Sequence, residues 1–233
     1  MNDYSATWFE LFADTVDTEQ TARDVAFLAR QFPLPRFKRV LDVCCGTGRH
    51  ARLLVERGYD VTGIDVNERA LTQASASIGP RATLLNHDMR HIDQLDESFD
   101  AVLLLWQSFG QFDDLTNLHV LRQIADRLAT AGRFVLDVYH RGFFETRLGT
   151  RVHQKLGRSI TERKRLTDNR LVVELDYGDG PGDRFDWRVF TPEEIVELAR
   201  QVGFDAIVRC AEFDESFQPS TDRPRMQLVF EKR

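Results

Sequence analysis

From Lys38 onward, short apolar runs alternate with longer stretches in which apolar positions recur at helical spacing. Val40, Leu41 and Val43 form a run that ends at Cys44-Cys45-Gly46-Thr47-Gly48, where glycine lets the chain turn sharply. Ala51, Leu53, Leu54 and Val55 then mark the apolar side of a helix, Arg49, Arg52, Glu56 and Arg57 its polar side, and Gly58 its stop. Val61-Thr62-Gly63-Ile64 is a second strand with Asp65 at its carboxyl end. The pattern continues with a helix over 68–77, a strand over 82–86, a fully buried strand over 99–105 and an amphipathic helix over 113–130 striped by Leu118, Leu121, Ile124 and Leu128. Ala131-Gly132 turns the chain into a fifth strand over 133–139.

Three flanking regions differ. Residues 4–32 carry aromatic and apolar positions at roughly helical spacing and predict one or two helices, broken by Pro33 and Pro35. Residues 151–188 alternate apolar and polar with a turn at Asp168-Asn169, which predicts antiparallel strands inserted into the α/β alternation. Thr191, Pro192 and Glu194 begin a helix with a capping box that Gly203 ends, and the stretches 205–213 and 226–230 close the chain with two strands.

Length and charge narrow the class. A chain of 233 residues, 42% hydrophobic, suits one α/β domain with an insertion. A net charge of −6 disfavours broad binding to nucleic acid or anionic membrane. The first residues lack the pattern of a signal peptide and no apolar run is long enough to span a bilayer, so a cytoplasmic protein is expected. Three cysteines make neither a disulfide framework nor a paired metal signature, and metal-free chemistry is expected.

Gly46-x-Gly48-x-x-Ala51 fits the loose dinucleotide fingerprint, but Asp42 argues against a phosphate ligand. A carboxylate in an apolar strand would repel pyrophosphate and favour a cation. The run Asp42-Val43-Cys44-Cys45-Gly46-Thr47-Gly48 resembles motif I of the class I S-adenosylmethionine-dependent methyltransferases, acid-x-Gly-x-Gly-x-Gly, with Cys44 in place of the first glycine. His87-Asp88-Met89 after the third strand matches the family's adenine-contacting position.

The resemblance covers nearly the whole chain. It implies a Rossmann-like doubly wound sheet of seven strands, mostly parallel. It also implies a helical lid over 1–36, a methyltransferase core over 37–140 and 191–233, and a β cap over 141–190. By resemblance, Gly46 and Gly48 lie against the methionine part of S-adenosylmethionine, Asp42 influences its ammonium end and Asp65 accepts the ribose hydroxyls. Asp88 accepts from the adenine amino group and the Met89 backbone reaches a ring nitrogen, with Cys44, Val66 and Leu105 completing the cofactor set.

The expected activity is methyl transfer to N or O of a small molecule, by a monomer or homodimer. His140, at the fifth strand's end, is the first candidate base, ahead of His50 and His153. Trp8, Trp106, Tyr139, Phe143 and Arg188 are candidate substrate contacts, and Tyr4, Trp8 and Phe9 are candidates to close over the cofactor; packing accounts equally for Trp106. Arg158, Arg163, Lys164 and Arg165 could bind an anionic substrate, but with alternation along a strand they read as a solvated outer face. A nicotinamide-dependent oxidoreductase and a non-catalytic S-adenosylmethionine-binding module remain as alternatives.

Overall fold

The computed structural model describes residues 2, 4–12, 17–178 and 180–233. Its organising element is a seven-stranded sheet. The strands are β1 (Arg39–Val43), β2 (Asp60–Asp65), β3 (Ala82–Asn86), β4 (Phe99–Leu104), β5 (Leu128–Tyr139), β10 (Phe204–Cys210) and β11 (Arg225–Lys232). Their spatial order is β3-β2-β1-β4-β5-β11-β10, and β11 alone runs against its neighbours. The chain winds outward through β2 and β3, then returns to place β4 beside β1. This leaves the β1/β4 crevice as the topological switch point where open α/β sheets bind ligands.

Helices cover both faces because the central strands are apolar on both. Leu41, Val43, Val102, Leu104, Leu136 and Val138 pack against α5 (Asp114–Arg127) and α7 (Pro192–Gln201). Val40, Ala101, Leu103 and Val135 pack on the other side, against α2 (Thr18–Gln31), α3 (Arg49–Glu56) and α4 (Glu68–Ile78). The expected start of α7 is present in full: the Thr191 hydroxyl accepts from the Glu194 amide, the Glu194 carboxylate accepts from the Thr191 amide, and Pro192 opens the helix.

The turn expected at Ala131-Gly132 is instead a bulge inside β5. Phe99 pairs with Leu128 but Ala101 with Arg133, so several residues loop out opposite Asp100, with Ala131 at φ 56°. Helix α5 accordingly ends at Arg127, and Leu128 is buried as the first residue of the strand.

Between β5 and α7 lie the short helix α6 (Arg141–Glu145) and a second, antiparallel sheet of β6 (Gly149–Lys155), β7 (Arg158–Thr167), β8 (Arg170–Asp176) and β9 (Asp183–Arg188). Two of its hairpins turn through paired positive φ values, Leu156-Gly157 (50° and 79°) and Asp168-Asn169 (48° and 62°), the sense that matches strand twist. One face of this sheet is apolar, with Ile160, Leu171, Val173, Leu175, Phe185 and Trp187, and it buries Leu11 of α1 (Ala6–Phe12) and Phe144 of α6. Within the expected helical stretch over 4–32, α1 and α2 are separate helices, and 13–16 lie outside the described residues.

Candidate active site

Period-two alternation sorts the strand-end residues by face. Leu41 and Val43 flank Asp42 and belong to the α5/α7 side, so Asp42 points to the α2/α3 side. Asp65 after Ile64, and Asp137 and Tyr139 around Val138, do the same. The glycine turn joins them. The Gly46 amide donates to Asp65 Oδ2 at 2.8 Å, and the Asn67 amide donates to Asp65 Oδ1 at 2.8 Å. Gly46 (φ 55°) has open space where a Cβ would stand. At Gly48 (φ 74°) a Cβ would lie 2.7 Å from Ile78 Cδ1, so α4 packs on this turn only because the side chain is absent. Cys44, where the motif usually has glycine, adopts φ 59°, a conformation that costs a non-glycine residue about 1–2 kcal/mol.

Cys44 also reports which acids meet. Its thiol is pushed up first by burial, then by the charges of Asp65 and Asp42, and more weakly by Asp88, so the fields of all three carboxylates act at one sulfur. The same sulfur lies 3.9 Å from Met89 Sδ. Asp42 is 3% exposed and its Oδ2 has no hydrogen-bond partner. Burial raises its pKa to about 7, with Asp65 adding to the rise and Arg49 opposing it. Asp88 caps the 3-10 turn after β3 and pairs with Arg90 at 2.5 Å, which holds it below its ordinary pKa. Val66 is exposed beyond Asp65, and Leu105 is buried beyond β4.

A second group of charges underlies the rim. Asp137 is fully buried and accepts from the Trp106 amide (2.9 Å), Gln227 Nε2 (2.9 Å) and the Arg225 guanidinium. Trp106 is held between two cations, Arg49 at 4.2 Å and Arg225 at 4.7 Å from the ring centroid. Arg49 reaches back to α2, where buried Asp24 pairs with it and with His50 at 3.1 Å. Burial pushes the Asp24 carboxyl up, yet hydrogen bonds with His50 and Gln20 and the Arg49 charge leave it below its ordinary value. Sequence reading passed over Asp137 and Asp24. The signal for Asp137 was the one that marked Asp42, a carboxylate inside an apolar run, Phe134-Val135-Leu136-Asp137-Val138.

The candidate substrate residues divide. Trp8, Tyr139 and Phe143 pack against the inner face of the β6–β9 sheet, and Tyr139 meets Phe144 and Trp187 edge-on at 4.9 and 5.6 Å. Tyr4 joins them, with its ring 4.6 Å from Trp8 and 4.7 Å from Phe185, and burial raises its pKa. Phe9 is 46% exposed. Arg188 is not brought into this group. It alternates with inward Trp187 along β9 and pairs with Asp114 (3.2 Å) and Glu194 (3.6 Å) at the starts of α5 and α7.

His140 is also apart. It follows Tyr139, so it faces the α5/α7 side with Val138, away from the acids. Its amide donates to the Pro224 carbonyl. Burial lowers its ring pKa, and the charges that act on it are Glu193, Glu145 and Arg141. The four cations read as one solvated face do not share one. Arg163 and Arg165 point outward, while Lys164, an even-numbered residue of β7 like buried Ile160, points inward. Among the described residues no group of three or more His, Cys, Asp or Glu is placed to hold a metal, and no helix is long and apolar enough to cross a membrane.

Residues 40–132 match the family model of a methyltransferase domain. The chain is 32% identical to the dTDP-3-amino-3,4,6-trideoxy-alpha-D-glucopyranose N,N-dimethyltransferase of Streptomyces venezuelae over 84% of this chain and 83% of that one. The chain belongs to the class I S-adenosylmethionine-dependent methyltransferases. Glycine N-methyltransferase of Oryctolagus cuniculus is 32% identical over 60% of this chain and 56% of its own length. Among solved structures, an S-adenosylmethionine-dependent methyltransferase from Clostridium acetobutylicum ATCC 824 superposes with a TM-score of 0.80 at 15% identity, covering 97% of this chain and 96% of that one. An amino pentose methyltransferase from Micromonospora echinaspora, with S-adenosylmethionine bound, superposes at 0.71 and 19% identity, covering 100% and 99%.

S-adenosylmethionine is the cofactor of this methyltransferase, and the alternative of a nicotinamide-dependent oxidoreductase falls. The residues at the switch point suit it. The unpartnered Asp42 Oδ2 is a buried acceptor that a cationic group would satisfy, Gly46 leaves room for close approach, and each Asp65 oxygen keeps a lone pair beyond the one its backbone donor takes.

Proposed function

We propose that this methyltransferase places a methyl group on an amine nitrogen of a small molecule, and that Asp42, Gly46, Gly48, Asp65, Asp88 and Met89, with Cys44, Val66 and Leu105 around them, hold the cofactor. The observation that carries the reading is the enclosure around Tyr139. Residues 2 and 4–12 and the inner face of the β6–β9 sheet pack on each other and on the end of β5, with Asn2 and Ser5 bonded to Asp186 and Asp183 of β9. An acceptor bounded by Tyr4, Trp8, Tyr139 and Phe143 is a small molecule rather than a polymer lying in an open groove.

The nitrogen preference is supported by two relatives, an amino-sugar N,N-dimethyltransferase and a glycine N-methyltransferase. When bound, the cofactor supplies an electrophilic methyl carbon. The protein's part is to hold the nucleophile in line and keep water out, a part that the aromatic cluster around Tyr139 suits. Radiolabelled methyl transfer to a panel of small amines and matched alcohols tests this. N-methyl products identified by mass spectrometry support it; transfer to the alcohols alone, or to protein or nucleic acid alone, overturns it.

A further inference from the structure

Two guanidiniums lie over the Trp106 ring, and they differ in how completely they are paired. Arg225 has a carboxylate of its own: its Nε donates to Asp137 Oδ1 at 3.1 Å and its Nη2 to Asp137 Oδ2. Arg49 only shares one. Its Nη1 donates to the Thr21 hydroxyl at 2.9 Å and stands 3.8 Å from Asp24 Oδ2, beyond hydrogen-bond distance. Asp24 is meanwhile bonded to Gln20 Nε2 at 2.6 Å and to His50 Nε2 at 3.1 Å. Among the described residues the Nε and Nη2 of Arg49 make no hydrogen bond, although the side chain is only 22% exposed. A planar fork with donors to spare is the shape that takes a carboxylate.

The chain sets where this fork stands. Arg49 is the first residue of α3, directly after Gly48 of the glycine turn. Trp106 follows Leu105 off the end of β4, which lies beside β1 with Leu104 level with Val43, so guanidinium and ring meet at 4.2 Å in the β1/β4 crevice. The ring is carried on a strained turn. Trp106 and Gln107 take φ 57° and 60°, and their amides donate to Asp137 Oδ2 at 2.9 Å and to the Asp137 carbonyl at 3.2 Å. Two polar atoms on this side of the sheet are buried without a partner, Trp106 Nε1, a donor, and Asp42 Oδ2, an acceptor. Such atoms are uncommon. A ligand end that carries an ammonium beside a carboxylate answers both, the ammonium at Asp42 and the carboxylate at the indole N–H and the free side of Arg49.

We propose that Arg49 and Trp106 bind the carboxylate at the methionine end of the cofactor, Arg49 through its unspent Nε and Nη2 donors and Trp106 through its indole N–H. This rests on the cofactor set proposed above. It also moves Trp106 from the methyl acceptor to the cofactor. Guanidiniums already lie over its ring, and what is left to a ligand is the N–H edge.

The test is calorimetric titration with S-adenosylhomocysteine and with its decarboxylated analogue, in which hydrogen replaces the carboxylate, for the parent, Arg49→Met and Trp106→Phe. The parent is expected to bind S-adenosylhomocysteine more tightly than the analogue. Arg49→Met should weaken S-adenosylhomocysteine by roughly tenfold to a hundredfold, the range for charge-assisted hydrogen bonds, and Trp106→Phe by about threefold to tenfold. Both should bind the analogue like the parent, which also shows that they fold. Should Arg49→Met fail to fold, Arg49→Lys, which keeps a charge beside Asp24 without the fork, should show a smaller loss with the same selectivity. Equal binding of the two ligands by the parent, a carboxylate preference that survives in the variants, or equal weakening of both ligands would each overturn the inference. Weak binding by Asp65→Ala with parent-like binding by Arg49→Met would keep the proposed cofactor set and sink this inference. Parent-like binding by Asp65→Ala, with the carboxylate preference lost in Arg49→Met, would do the reverse.

Discussion

The Gly46 amide donates to Asp65 Oδ2 at 2.8 Å, which fixes the turn after β1 to the tip of β2. Asn67 occupies the other oxygen, so the carboxylate cannot swing away. On the proposed reading of this site, these two bonds hold the turn and the acid relative to each other, which lowers the ordering cost of binding.

Asp42 gives a pH signature. Its pKa is raised from 3.8 to about 7 because burial disfavours the charged form. A folded-state pKa above the unfolded value means that its stabilising contribution is complete below about pH 4 and is lost as pH rises through about 7. Urea denaturation between pH 4 and 8 should show the parent losing stability relative to Asp42→Asn across that window. Cofactor affinity of the parent should rise over the same range, because the ionised form welcomes a cation; parallel curves for the two proteins would remove Asp42 from this role.

Asp137 is a structural charge under the site. Replacing it with alanine leaves Arg225 without its carboxylate and strands the Trp106 amide and Gln227, whose partner it is. Arg225 keeps 21% side-chain exposure, so the loss is placed at the lower end of the range for breaking a buried pair, about 3 kcal/mol. Chemical denaturation of Asp137→Ala measures it, and a loss under about 1 kcal/mol would show that water compensates the arginine.

His140 supplies a contrast. Because it faces α7 across the sheet from the acids, His140→Ala should lower the melting temperature while leaving the pH profile of kcat/KM as in the parent. Disappearance of one limb of that profile would restore it as the base.

The fold was legible because its signals are local. The Asp42 to Gly48 turn, the Thr191 capping box and the Asp168-Asn169 hairpin each depend on neighbours a few residues away, and each element stands where the pattern placed it. What escaped depends on which face a residue takes at a distance. A strand-end histidine and a strand-end tyrosine look equivalent in sequence, yet one residue of offset sends Tyr139 to the acids and His140 to α7. Lys164 stood with Arg158, Arg163 and Arg165 as one outer face, although period-two alternation separates Lys164 from Arg163 and Arg165. Asp24, on a helix, finds His50 and Arg49 only through tertiary packing.

The central claim is that the acids at the switch point hold the cofactor, and Asp65→Ala tests it most directly. Calorimetric titration with S-adenosylhomocysteine should show affinity weakened by roughly 1.5–3 kcal/mol relative to the parent, the worth of charge-assisted hydrogen bonds to the ribose, with the far-ultraviolet spectrum unchanged. Parent-like affinity in a folded Asp65→Ala protein would contradict the account.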